Sequence, residues 1–311
     1  MIKFLKLVAI NVILLAVKAN AQIQIEDTKK LDRIKEGQTY VIVKTTTFPG
    51  ADKFLQAMQK DWTLSNGIHY LSSDNSTITI TPNDSFLSLE SLTISTSSYG
   101  THIYYFLNFW TCKESYYKKQ RAMKDSDHEL IAQVALSVSN EAFATGSFFE
   151  NNDFDGGGML LNWSPGIVHN YLQQITTLLN AKTKKKFQDG INNKTELAAL
   201  KNEILYVPDF DLLNSSIFSA KQKMRDEEST NTIFEKYTYA YKVLGKEDLD
   251  RLILTSEKPI YYLLFIRHST NKLVCVVNSK TGETVYSDAT SISVRLKSGD
   301  IKDLFKAVSK S

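Results

Sequence analysis

The chain has little cysteine, no excess of either charge and no long apolar run past its start. Two cysteines in 311 residues cannot make a disulfide framework. Cys112 and Cys275 fall in different halves, within or at the end of strand-like runs. They are expected to be buried thiols that pack as small hydrophobes rather than to bridge. Lys and Arg number 37 against 34 Asp and Glu, a net charge of +3. Nucleic acid is therefore not an expected partner, because phosphate binding needs clustered cations. The one dense basic run, residues 182–186, follows a predicted helix, whose negative dipole end suits cations. No later stretch nears the ~20 apolar residues that cross a bilayer, so the mature chain is expected to have no transmembrane segment.

Catalytic signatures are missing as well. There is no Gly-x-Ser-x-Gly elbow and no Ser-x-x-Lys with its partner motifs. There is no Walker pattern, no Gly-x-Gly-x-x-Gly and no His-Glu-x-x-His. The five histidines are His69, His102, His128, His169 and His268. None is spaced with another His, Cys or Glu as a metal pair would be. His169 is expected on the exposed side of its helix. No catalytic residue and no cofactor is assigned from sequence.

A targeting segment is present. Lys3 and Lys6 precede an apolar run over residues 7–17, broken only by Asn11. Ala19-Asn20-Ala21 then forms an A-x-A site, which predicts cleavage between Ala21 and Gln22. Residues 1–21 read as a signal peptide, and the mature chain is expected outside the cytoplasm, in the periplasm or secreted. Two stretches carry a resemblance: the Ala-Asn-Ala-Gln end of the signal peptide, and Asn162-Trp-Ser-Pro-Gly-Ile-Val-His-Asn-Tyr-Leu172. In these the chain resembles secreted proteins of unknown function from Bacteroidota-type bacteria. That resemblance implies export and no particular activity.

The most informative feature is a weak internal repeat. Leu31-Asp-Arg-Ile34-Lys35 leading to Tyr40-Val41 returns as Leu197-Ala-Ala-Leu200-Lys201 leading to Tyr206-Val207. Trp62-Thr63 and the strand after it match Tyr237-Thr238 and its strand. Ile103 to Leu107 matches Ile260 to Leu264, and Leu130 to Val134 matches Leu273 to Val277. Glu141 to Phe143 echoes Glu283 to Tyr286, and Ser164 to Tyr171 matches Ser298 to Phe305. The shared order predicts a duplication, against shared generic patterning. The boundaries read 22–181 for the first unit, 182–193 for a polar linker and 194–311 for the second.

Local signals fill in the unit. Strands are expected over 39–45, near 68–71, 77–81, 102–109 and 129–141. Helices are expected over 51–61, over 84–91 with Asp84 as cap, and from Ser164-Pro165 to about residue 179. The second unit adds a polar helix over 219–226, a hairpin over 272–287 and a final helix from Ser298. The run at 102–109 is nearly continuously aromatic and aliphatic, which suits a strand covered on both faces. The fold class expected is α/β or α+β: two tandem, weakly homologous units, each a mixed sheet layered with helices. One fused sheet is the alternative.

One loop has the composition of a ligand site. In Glu150-Asn-Asn-Asp-Phe-Asp-Gly-Gly-Gly158, the residues Asn151, Asp153 and Asp155 fall at alternate positions of a calcium loop, with Gly156 at its sharp turn. The match fails at its twelfth position, where Asn162 replaces the bidentate Glu. These three residues are the weak metal candidates, with a plain Asn/Asp/Gly surface loop as the bland alternative. The expected function is a non-enzymatic binding or envelope-associated protein with a macromolecular partner in the cell envelope. A cleft between duplicated units is its natural site. The rivals are a hydrolase using carboxylates such as Asp153, Asp155 or Asp209, and a calcium-stabilised module.

Overall fold

The computed structural model describes residues 22–72, 78–96, 100–118, 123–140, 142, 154, 159–187, 189–216, 219–268, 271–290 and 293–311. The signal peptide through Ala21, and Asn151, Asp153 and Asp155, lie outside the described residues.

The first unit opens with β1 (Ile23–Ile25), α1 (Leu31–Ile34) and β2 (Thr39–Val43), then α2 (Ala51–Gln59) and β3 (Ile68–Ser72). A meander follows, made of β4 (Ser85–Thr96), β5 (Gly100–Cys112) and β6 (His128–Leu136), with a short α3 (Glu114–Tyr117) before β6. The unit ends on α4 (Pro165–Asn180), where Ser164 Oγ accepts the Ile167 N–H and Pro165 sits at the first helical position. That start is the one its sequence predicts.

The second unit runs β7 (Ile191–Asn192), α5 (Lys194–Ala199), β8 (Leu205–Pro208), the ribbon β9 (Leu213–Ser216) and β10 (Ser219–Met224), and α6 (Glu227–Phe234). It continues with β11 (Tyr241–Leu244), α7 (Lys246–Thr255), β12 (Tyr261–His268), β13 (Asn271–Asn278), β14 (Thr284–Thr290) and α8 (Ser298–Ser309).

The two sheets have the same order. The first is β3-β2-β4-β5-β6-β1 and the second is β11-β8-β12-β13-β14-β7. In each, a central strand pairs in parallel on both sides, β2 with β3 and β4, and β8 with β11 and β12. In each, a three-stranded antiparallel meander follows, and the unit's first strand closes against the last. Six strands in one order and one set of directions fit a duplication. The sheets are separate, so the fused alternative fails.

The correspondence of strands differs in part from the sequence reading. The short opening helix with its central strand, the strand after Trp62 or Tyr237, and the final helix match as expected. The three middle matches are one strand out of step, because β5 corresponds to β13 and β4 to β12. The cause is residues 84–91, expected as a helix but forming the start of β4. Asp84 does not cap a helix there. Its carboxylate accepts the N–H groups of Gln38 and Thr81 and the Thr81 hydroxyl, stapling the loop ahead of the strand. A short apolar run carries both periods, and tertiary pairing decides between them.

Three smaller expectations change. Residues 219–224 form β10 rather than a helix, paired with β9, and Asp226 caps α6 instead through the Ser229 N–H. Residues 78–81 are not in a strand, and of the strand expected at 141–143 only Ala142 is described, in helical conformation. Ile191 and Asn192, read as linker, form β7 on the second sheet.

Packing ties the units together. Alternate residues of β12 part into two cores. Tyr262, Leu264 and Ile266 join one with Leu107 and Phe109 of the first sheet and Ile167, Tyr171 and Ile175 of α4. Tyr261, Leu263 and Phe265 join another with Leu197, Ile233 and Leu304 of α5, α6 and α8. The layers therefore run first sheet, helices α2, α4 and α7, second sheet, and then α5, α6 and α8. A third, small cluster of Phe86, Trp110 and Cys112 covers the far face of the first sheet. Both cysteines are free and buried, as their apolar surroundings predict. Among the described residues no helix is long and apolar enough to cross a membrane.

Candidate functional site

The middle layer puts α4 between two sheets. The first half of a helix there is buried on every side, and Gly166 to Leu172 are buried without a break. His169, expected on an exposed side, is therefore interior. Its Nδ1 lies 2.9 Å from the Ala57 carbonyl oxygen and its Nε2 lies 3.3 Å from Asp61 Oδ2. Burial holds its pKa below the ordinary histidine value, against the opposing pull of the Ala57 carbonyl and Asp61. The neighbouring Asn170 accepts the Tyr262 hydroxyl at 2.9 Å and donates to the Ser279 carbonyl at 2.8 Å. Polar residues on this helix thus knit it to both units.

The turn between β13 and β14 docks on the same helix. Gly282 has φ +69°, and a Cβ there would come within 2.3 Å of the Asn170 carbonyl oxygen. Gln173 Nε2 donates to Asp61 Oδ2 at 2.8 Å and to the Lys280 carbonyl at 3.3 Å. One side chain so spans from the end of α2 to the second unit's hairpin.

Beside this tie lies a half-enclosed cleft of about 530 Å³, within the range of small-ligand sites. Its walls come from both units: Asp61 and the outer part of α4, then Lys185 and Ile191, then Thr281, Glu283 and Thr284 of the hairpin. Each of the two carboxylates on its rim has one oxygen engaged. Asp61 holds His169 and Gln173, and Glu283 accepts the Asn193 amide at 3.1 Å.

The donors in the cleft are not engaged. Gln174 is 5% exposed. Its Oε1 accepts the Thr284 hydroxyl at 3.3 Å, which leaves its Nε2 without an acceptor among the described residues. The Thr176 hydroxyl is buried with no partner. Lys185 Nζ has no carboxylate within ion-pair distance among the described residues. Burial lowers the Lys185 pKa, opposed by Cys275, Glu283 and Asp189. The cleft therefore holds an ammonium and an amide N–H₂ that lack acceptors among the described residues, beside a hydroxyl that can donate or accept.

Of the candidate site residues singled out from sequence, those that are described do not line this cleft. Asn162, the twelfth position of the calcium-like loop, is buried, and its Oδ1 is taken by the Ser137 N–H at 2.6 Å. Its Nδ2 donates to the Tyr171 hydroxyl at 2.8 Å. Phe154, between Asp153 and Asp155, is buried against Phe54 and Trp163, and its carbonyl accepts the Trp163 indole N–H. Among the described residues no His/Cys/Asp/Glu group could hold a metal ion. Asp209 sits in the 3₁₀ turn after β8, close enough to Asp211 to raise the latter's pKa. Asp211 is 2% exposed, and its Oδ2 accepts the Phe265 N–H at 3.0 Å. Asp211 is thus sealed against the second sheet, while Asp209 stays half-buried. Gln22, the expected new N-terminus, is buried, and its carbonyl accepts the Ala135 N–H beside β1.

Sequence reasoning missed Gln174, Thr176 and Lys185. Lys185 stood within the basic run read as a solvated helix end, and Gln174 and Thr176 stood in a helix read as amphipathic. The one available signal was the apolar spread on both sides of that helix. No family model, curated protein or solved structure matches the chain.

Proposed function

We propose that the mature chain is an exported, non-catalytic binding protein that takes a small molecule in the cleft between its two units. The observation that carries this reading is the pair of unmet groups, the Lys185 ammonium and the Gln174 amide, in a half-enclosed cleft between the units. Nucleophilic catalysis would need a base aimed at a nucleophile, and His169 instead spends both ring nitrogens on Ala57 and Asp61. A macromolecular partner draws less support. The exposed large apolar residues Ile78, Leu92, Ile204, Met224 and Val243 belong to separate segments of the chain rather than to one. Export rests on the signal-peptide pattern of residues 1–21.

The test is a thermal-shift screen of the mature protein against a library of small organic acids, amides, sugars and amino acids. At least one compound should raise the melting temperature with concentration, because a ligand that binds only the folded state stabilises it by mass action. The same compound should be recovered unchanged after long incubation. A screen without any stabilising compound, or turnover of the compound that stabilises, overturns the proposal.

A further inference from the structure

We infer that the cleft takes a small monocarboxylate with a short apolar body, its carboxylate held by Lys185 Nζ and Gln174 Nε2 and its body lying along Leu178 and Ile191. The inference rests on the binding reading above and adds the chemistry of the ligand.

Three observations point the same way. First, the cleft leaves an ammonium and an amide N–H₂ without an acceptor among the described residues. Lys185 supplies an ammonium, Gln174 an amide N–H₂ and Thr176 a hydroxyl, and none has an acceptor among the described residues. A buried donor left unpaired carries a desolvation cost that an acceptor oxygen removes. An amine or other cationic ligand brings further donors and relieves neither the ammonium nor the amide.

Second, the acidic groups that could have satisfied Lys185 are turned elsewhere. Glu283 and Asp189 lie near enough to act on Lys185 electrostatically, but Glu283 Oε1 accepts from Asn193 and Asp189 Oδ2 from the Lys186 N–H. Asp61 is held by His169 and Gln173. The ammonium thus stays half-buried without a partner in contact. A charge in that position favours an anion, and a charge-assisted hydrogen bond to carboxylate is stronger than a neutral one.

Third, the remaining lining suits a short body. Leu178 and Ile191 add apolar surface, and the volume of about 530 Å³ admits a ligand of modest size. The hairpin wall is fixed by Gly282 packing on the Asn170 carbonyl, so the cleft is held open by the fold rather than formed around its ligand.

Titration calorimetry with hexanoate and with hexanamide tests this on the intact mature protein. The two differ in charge and in acceptor capacity while sharing a body. Hexanoate should bind at least roughly tenfold more tightly than hexanamide, since one charge-assisted hydrogen bond separates them. On Lys185→Met the preference for hexanoate should vanish. Equal binding of the two compounds to the unaltered protein overturns the carboxylate assignment and leaves the binding reading standing. Failure of both compounds to bind, with other compounds active in the thermal-shift screen, also overturns the assignment alone. The comparison on the unaltered protein needs no variant to fold.

Discussion

Asp211 shows how one residue sets a pH dependence for the whole chain. Its carboxyl is buried behind β12 with Oδ1 unpartnered. Burial raises its pKa well above the ordinary 3.8, helped by Asp209 and opposed by the Phe265 N–H. The folded state therefore keeps a proton that the unfolded chain releases above its own pKa. This contribution to stability is fully present below about pH 4 and is lost as pH rises through the folded value. Each unit of upward shift is worth about 1.4 kcal/mol. Asp211→Asn keeps an acceptor for Phe265 and has no proton to lose. Urea midpoints at acid and at mildly alkaline pH should show the variant gaining on the parent as pH rises. A difference between the two that stays flat with pH would refute the assignment. At this scale the sequence was partly legible. Cys112 and Cys275 read correctly as buried thiols, because each stands in apolar strand surroundings. His169 did not, because burial of a helix on every side depends on a second sheet that its own segment does not reveal.

At the scale of elements, the contact between the β13–β14 turn and α4 governs the shape of the cleft. The turn needs the left-handed conformation at Gly282 and also the absent side chain, since a Cβ would lie 2.3 Å from Asn170 O and 3.0 Å from Gln173 Cβ. Gly282→Ala thus meets two penalties. The conformation alone costs roughly 1–2 kcal/mol, and relief of the clash requires the turn to lift from the helix. Chemical denaturation should show a loss of at least about 2 kcal/mol, and an unchanged midpoint would mean that the turn is not pressed on α4. Helices with clear starts were legible from sequence, above all α4 with Ser164-Pro165. The segment 84–91 was not. Its apolar residues at 86, 87, 89 and 92 satisfy a helical stripe as well as a strand covered on both faces. Asp84, a good cap by type, spends its oxygens on Gln38 and Thr81. The ribbon strand β10 was hidden in the same way, behind helix-favouring Ala, Lys, Gln and Met.

For the whole molecule, the repeat was legible as an order of features before it was legible as strands. Two mixed sheets with one strand order bear out the α/β reading and fit the duplication. The misplaced strand shifted the middle of the comparison without disturbing its ends, because the opening helix–strand pair and the closing helix carry the most specific patterns. The stacking of the units was not legible. It follows from β12 and β13 being apolar on both faces, which lets the second sheet cover α4 while its other side carries α5, α6 and α8. The cleft arises from that stacking, so none of its unmet donors stood out in the chain.

The central claim is that this cleft is where the protein binds. Thr177 lines it from an exposed position on α4, so a large side chain there fills the space without entering either core. The decisive measurement is calorimetric titration of Thr177→Trp with the compound that stabilises the parent most. Binding should be lost while the urea midpoint of the variant stays that of the parent. Undiminished affinity in the folded variant would place the ligand elsewhere and contradict it.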